Sequence, residues 1–293
     1  MELMKNVTEP HLTANLTVSS FWQIDKLEIW MLTFNFLCGV PTHSYVIWLI
    51  VTGTGSGIAL EFFNLNMSVC GIFFSMESLF SLVSNWFTFR SLAAITHFLV
   101  GFTVTGHPLF QCLICIERYL AVVHPVTFLK YKPLRYRVIC CTLAWIYIFG
   151  YSLFCMFSFL SFTLYIYIWF ISLQFVIYFP IQLFCLVAVI RALKQLGPGE
   201  RRREREEENH MKRKAFYVIR ITTASLFITY VPFIITGFHS VATQQNIQIA
   251  WSFSYICFML AGFVQPGLYL YRTGKLSSFC SPEFKRQILE HVC

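Results

Sequence analysis

The sequence predicts an all-α fold: a seven-transmembrane helix bundle with its N-terminus outside the cell and its C-terminus in the cytoplasm. Three observations carry this. The 293 residues are 57% hydrophobic and only 12% charged, about half the charged share of a soluble domain. Seven apolar runs come near the roughly 20 residues a helix needs to cross hydrocarbon. The basic residues are one-sided. Of the 22 Lys and Arg, only Lys5, Lys26 and Arg90 fall outside the segments 118–137, 191–220 and the tail after Tyr271. An excess of basic residues marks the cytoplasmic face, and termini on opposite faces require an odd number of spans.

The first run, at about 28–52, carries Gly39, Pro41 and His43. The second, at about 58–84, has Gly71 at its middle and Glu77 as the carboxylate well inside it. The third, at about 92–123, holds His97, His107 and Pro108 and closes on ICIERYLAVVHP, where Glu117 and Arg118 stand side by side. The fourth and fifth, at about 138–160 and 163–193, meet in SLFCMFSFLSFTLYIYIWF, which never turns polar. A single re-entrant element there, with six spans in all, is the alternative. The charged insert Gly197 to Lys214 reads as a breaker followed by a helical extension. The sixth and seventh runs, at about 215–240 and 248–271, contain Pro232 and Pro266. With Pro41, Pro108 and Pro180, five spans have a proline that removes a backbone hydrogen bond and can kink its helix. A simple anchor has no use for so many kinks; a bundle with a cavity or a moving helix does.

Residues 1–27 are then an extracellular segment, 28–272 the bundle, and 273–293 a cytoplasmic tail expected to carry an amphipathic helix. Asn6 in NVT and Asn15 in NLT are glycosylation candidates on the outer segment; Asn66 in NMS lies inside a span and is expected to stay unused. Most of the eleven cysteines fall within spans, so an external bridge is not expected. Cys280 is the candidate for palmitoylation of the tail, with Cys293 also possible in kind. RRRER and KRK hint at nucleic acid, but the acids interleaved in EREEENHMKRK favour a solvated loop at the membrane face. No Gly-rich phosphate loop, no HExxH and no nucleophile with an adjacent base appears. The expectation is a protein that is not an enzyme, with no cofactor, no metal and no nucleic-acid partner.

ERYLAVVHP, at the inner end of the third run, resembles the signature of the rhodopsin-like G-protein-coupled receptors. Further marks of that family follow the same order: LNMSV at 65–69, Trp145, FCL at 184–186, TYVP at 229–232 and QPGLY at 265–269. The resemblance implies a multi-pass receptor of the plasma membrane. Its partners would be a heterotrimeric G protein, membrane lipids and an extracellular small-molecule, lipid or peptide ligand. It places Glu117, Arg118, Tyr119, Pro232, Gln265, Pro266 and Tyr269 in the coupling and activation machinery. Read physically, a charge near a membrane end needs a partner or water. Glu117 and Arg118 are expected to neutralise one another, with Arg118 pointing inward. The plain alternative is a snorkelling pair that only fixes the helix end.

The chain departs from the family pattern at the bundle's polar centre. His43 stands where the family has Asn, Gly71 where it has a buried Asp, His107 where it has Ser, Tyr230 where it has Trp, and Gln265 where it has Asn. Ala93 replaces the outer Cys of the third span, and Leu186 a Tyr of the fifth. In the family that centre holds a sodium ion; Gly71 offers it no oxygen, so no sodium site is expected. His107 lies about three turns, or about 16 Å, before Arg118 on nearly the same face. It is expected to fill the space left by Gly71 and to donate to Gln265 or to a carbonyl freed by Pro108. A hydrogen-bonded core histidine is the plainer reading, a proton sensor the sharper one. For Glu77 the expected partner is His97, with His239 more loosely placed. Together with Tyr230 they would rim an outward cavity for a ligand with a cationic or hydrogen-bonding head; a protonated Glu77 or a structural pair is the alternative.

Three functions compete on these residues. The first is a signal-transducing receptor coupled to a G protein. The second is a receptor-like protein that is constitutively active, or that serves as a non-signalling scaffold or partner subunit. The third, a transporter or channel, lacks internal repeats and a charged path.

Overall fold

The computed structural model describes residues 26–53, 61–87, 89–131, 134–161, 164–195, 202–243 and 248–275. Seven helices among them are long and apolar enough to cross a membrane. α1 (Lys26–Val51) and α2 (Phe62–Trp86) precede α3 (Arg90–Val123), which a short helix, α4 (Pro125–Tyr131), follows. Then come α5 (Leu134–Leu160), α6 (Leu164–Gln195) and α7 (Arg202–Thr243). The last span is α8 (Gln248–Gly262) continued by α9 (Val264–Arg272). The six-span alternative is corrected here. The featureless run after Ser152 divides at Ser161 into two helices, each with enough residues to span hydrocarbon by itself. Helix α7 begins at Arg202, so the charged insert does extend the sixth span.

α3 is the axis of the bundle. It packs against α2, α5 and α6, and Gly101 to Pro108 are buried without a break. Close approach needs small residues. A Cβ on Gly101 would come within 2.8 Å of the Cys155 side chain and 3.1 Å of the Ser152 backbone, so glycine sets the spacing between α3 and α5. Leu37, Leu143, Ile146, Phe157 and Ile235 point outward and are exposed; such an apolar exterior suits lipid and not water. The nine described cysteines are free.

Polar side chains stitch the helices where backbone bonds cannot. Asn35 of α1 donates to Ser78 of α2 at 2.8 Å. Asn66, whose sequon lies within α2, accepts from the indole of Trp145 on α5 at 2.8 Å. Trp145→Phe keeps the ring beside Phe102 and Phe110 but deletes this bond. It should lower stability by roughly 1 kcal/mol, read as a lower melting temperature of the detergent-purified protein.

Two prolines shape the interior. Pro108 leaves the Val104 carbonyl without its helical donor, and the Gln174 amide of α6 faces that oxygen at 3.5 Å while Thr105 donates to the Gln174 carbonyl at 3.3 Å. Pro266 does the same to Gly262, where the seventh span breaks between α8 and α9.

Candidate functional site at the end of the third span and the polar centre

At the C-terminal end of α3, Glu117 is ion-paired with Arg137 of α5. This corrects the expectation that Glu117 neutralises Arg118. Arg137 is buried, 4% exposed, whereas Arg118 is half-buried; the more deeply buried guanidinium has the stronger claim on a carboxylate. A second pair closes the other side. Arg272 at the end of α9 reaches Glu61, just ahead of α2, at 3.4 Å, and Asn64 also donates to Glu61. Arg118 makes no hydrogen bond or ion pair among the described residues. The Tyr119 hydroxyl is 3.1 Å from Nε2 of His124, and its ring lies against Phe184 of α6. The loop from Lys130 to Arg137 is expected on sequence grounds to share the coupling surface with Arg118. The pairing of Arg137 with Glu117 and the presence of Glu61 beside it are not, because only the bundle's packing brings them to the level of Glu117.

At the centre, the imidazole of His43 occupies the place a side chain at 71 would take: a Cβ on Gly71 would fall on its ring atoms. His107 does not fill that space, as had been expected. It is hydrogen-bonded to the Gly262 carbonyl, the one freed by Pro266 and not one freed by Pro108, and its ring stands edge-on to Phe258. It does not reach Gln265, whose amide nitrogen has no partner among the described residues. The Tyr269 hydroxyl, Nδ1 of His43 and Nε2 of His107 share that condition. No group of three or more His, Cys, Asp or Glu among the described residues is placed to hold a metal ion.

Tyr230 also departs from its expected place. It is fully buried in the core, not on an outward rim. Its hydroxyl accepts from the Gln182 amide at 2.6 Å, and the same nitrogen donates to the Pro108 carbonyl at 3.2 Å. One glutamine therefore ties the third, fifth and sixth spans together beside Pro108 and Pro180, with Pro232 two residues beyond Tyr230 in the chain.

Higher up, Glu77 is buried and takes two donors: Ser81, one turn along α2 at 2.6 Å, and Tyr255 of α8. His97 is not its partner; that ring stacks on Phe159, centroids 3.8 Å apart. His239 is exposed near the end of α7, its Nδ1 3.5 Å from the Thr243 hydroxyl. Among Glu77, His97, Tyr230 and His239, none bonds to another. Nearby, Ser252 of α8 donates to Glu28 of α1 at 3.2 Å. Asn6, Asn15, Cys280 and Cys293 lie outside the described residues.

Seven membrane-crossing helices, closed at one end by charge pairs around an acid-Arg-Tyr triplet, define a multi-pass membrane protein of the receptor type. Residues 43–269 match the family described as 7 transmembrane receptor (rhodopsin family), and the chain belongs to that family. It is also similar to proteinase-activated receptor 3 of Homo sapiens, with 27% identity over 155 residues. That alignment takes in 51% of this chain and 39% of the relative, so the chain matches well under two thirds of the relative's length.

Proposed function

We propose that the protein transduces an extracellular signal to a heterotrimeric G protein at the plasma membrane, through an inner surface centred on Arg118. What supports this is a half-buried guanidinium at the inner end of the third span, in a chain of the rhodopsin family, with no carboxylate bonded to it. Glu117, Tyr119, Pro232, Gln265, Pro266 and Tyr269 belong to the same machinery. Residues 1–27 are the extracellular segment, with Asn6 and Asn15 its glycosylation sites. Residues 28–272 form the bundle, and 273–293 the cytoplasmic tail, anchored by acylation at Cys280. The ligand is a small molecule, lipid or peptide that enters from the outer face near Glu77. A ligand biases such a bundle only by binding its two states with different affinity. Because Glu117 is engaged by Arg137, the geometry also favours signalling without ligand.

The test is a cell assay with sensors for each Gα class, comparing cells that carry the protein with mock-transfected cells. Arg118→Ala, at equal surface level, should bring the signal down to that of mock cells. Signalling that is unchanged by this substitution counts against the reading.

A further inference from the structure

We infer that Arg137 is a positioning residue for G-protein coupling: by holding Glu117, it keeps the Arg118 guanidinium available at the inner mouth. This rests on the coupling proposed above and names the residue that regulates it. The charges of two acids, Glu61 and Glu117, act on Arg118, and both are engaged elsewhere. Glu61 holds Arg272 at 3.4 Å and Asn64; Glu117 holds Arg137. Three guanidiniums thus meet two carboxylates, and the one left over is Arg118. Arg137 is anchored where it acts. It lies in the first turn of α5 and is almost wholly buried, so it cannot leave Glu117 without stranding a charge, a costly change.

The direction of the effect follows. An acid-Arg pair on one helix is usually pictured as a lock whose loss raises activity. Here the acid is already turned away, so removing its holder has the opposite sign. Arg137→Ala leaves Glu117 without a counter-ion next to Arg118, the remaining unpaired cation, and the two close on each other. Arg118 is then withdrawn from the inner face, and signalling falls.

The experiment uses the full chain at matched surface level with the same G-protein sensors. Arg137→Ala should lower signalling several-fold, and Arg137→Lys should retain most of it. Glu117→Gln placed in the Arg137→Ala background should restore it, because the carboxylate that captures Arg118 is gone. A purely structural role for Arg137 predicts no such rescue. Signalling that rises or stays level in Arg137→Ala, or a double variant no better than the single, overturns the inference. Arg118→Ala separates the two failures. If it leaves the signal intact, the coupling reading itself fails.

A second measurement needs no signalling. In melting-temperature cycles on purified protein, Glu117 should couple more strongly to Arg137 than to Arg118 in the unaltered chain. Coupling to Arg118 should grow once Arg137 is alanine. Glu117–Arg118 coupling as strong as Glu117–Arg137 coupling in the unaltered chain overturns the inference.

Discussion

Gly71→Ala should destabilise the bundle by about 1–3 kcal/mol, the range for one methyl group forced into a filled interior. The added Cβ falls on the ring of His43, which is buried at 4% exposure on the neighbouring helix. A stiff ring on a packed helix can yield only by shifting the α1–α2 contact. His43→Asn in the same background should recover most of the loss, since the smaller side chain vacates the position. The two changes are therefore expected to be strongly non-additive. Melting temperature and surface expression of the four proteins in the cycle would show it. A Gly71→Ala protein as stable as the original means the imidazole swings aside freely, and the size exchange between 43 and 71 is then not a constraint. The same logic accounts for two departures from the family pattern at once. A larger residue on the first span and none on the second fill one volume between them, so Gly71→Asp alone should fail where Gly71→Asp with His43→Asn succeeds.

The spans were legible because hydrocarbon imposes a length and a polarity that a single sequence displays. Their number is fixed only by the turn at Ser161, where no charged residue, glycine or proline marks the break. The site was legible in part. ERYLAVVHP located Arg118, but its electrostatics depended on Arg137 and Glu61, which come from two other helices. His107 and Gly71 were rightly read as facing the interior, yet the partner of Gly71 proved to be His43. Which of two inward histidines fills a hole depends on helix rotation, and periodicity leaves that open by tens of degrees. The carbonyls freed by Pro108 and Pro266 were foreseeable; that Gln174 and His107 would meet them was not. Glu77 was singled out as a buried carboxylate in need of a partner. Tyr255 was overlooked because tyrosine is so frequent here that no single one stands out.

Tyr255→Phe should lower stability by about 1–3 kcal/mol, because it withdraws a donor from a buried carboxyl group and leaves Ser81 alone on it. Glu77→Gln should cost less, since the amide keeps an oxygen that the Tyr255 hydroxyl can still donate to. The two substitutions should couple, as residues in one hydrogen-bonded network do; independent effects on the melting temperature would remove Glu77 as the tie between α2 and α8. Ligand recognition gives the pair a second, opposite signature. Each oxygen of Glu77 already accepts a protein donor, so a cationic head approaching this carboxylate competes with the phenol of Tyr255 for one of them. Deleting that phenol therefore removes a competitor, and Tyr255→Phe should bind such a ligand more tightly while melting at a lower temperature. A Glu77 with a purely structural role predicts the second effect without the first, and a screen of amine-bearing compounds on the two proteins side by side distinguishes the cases.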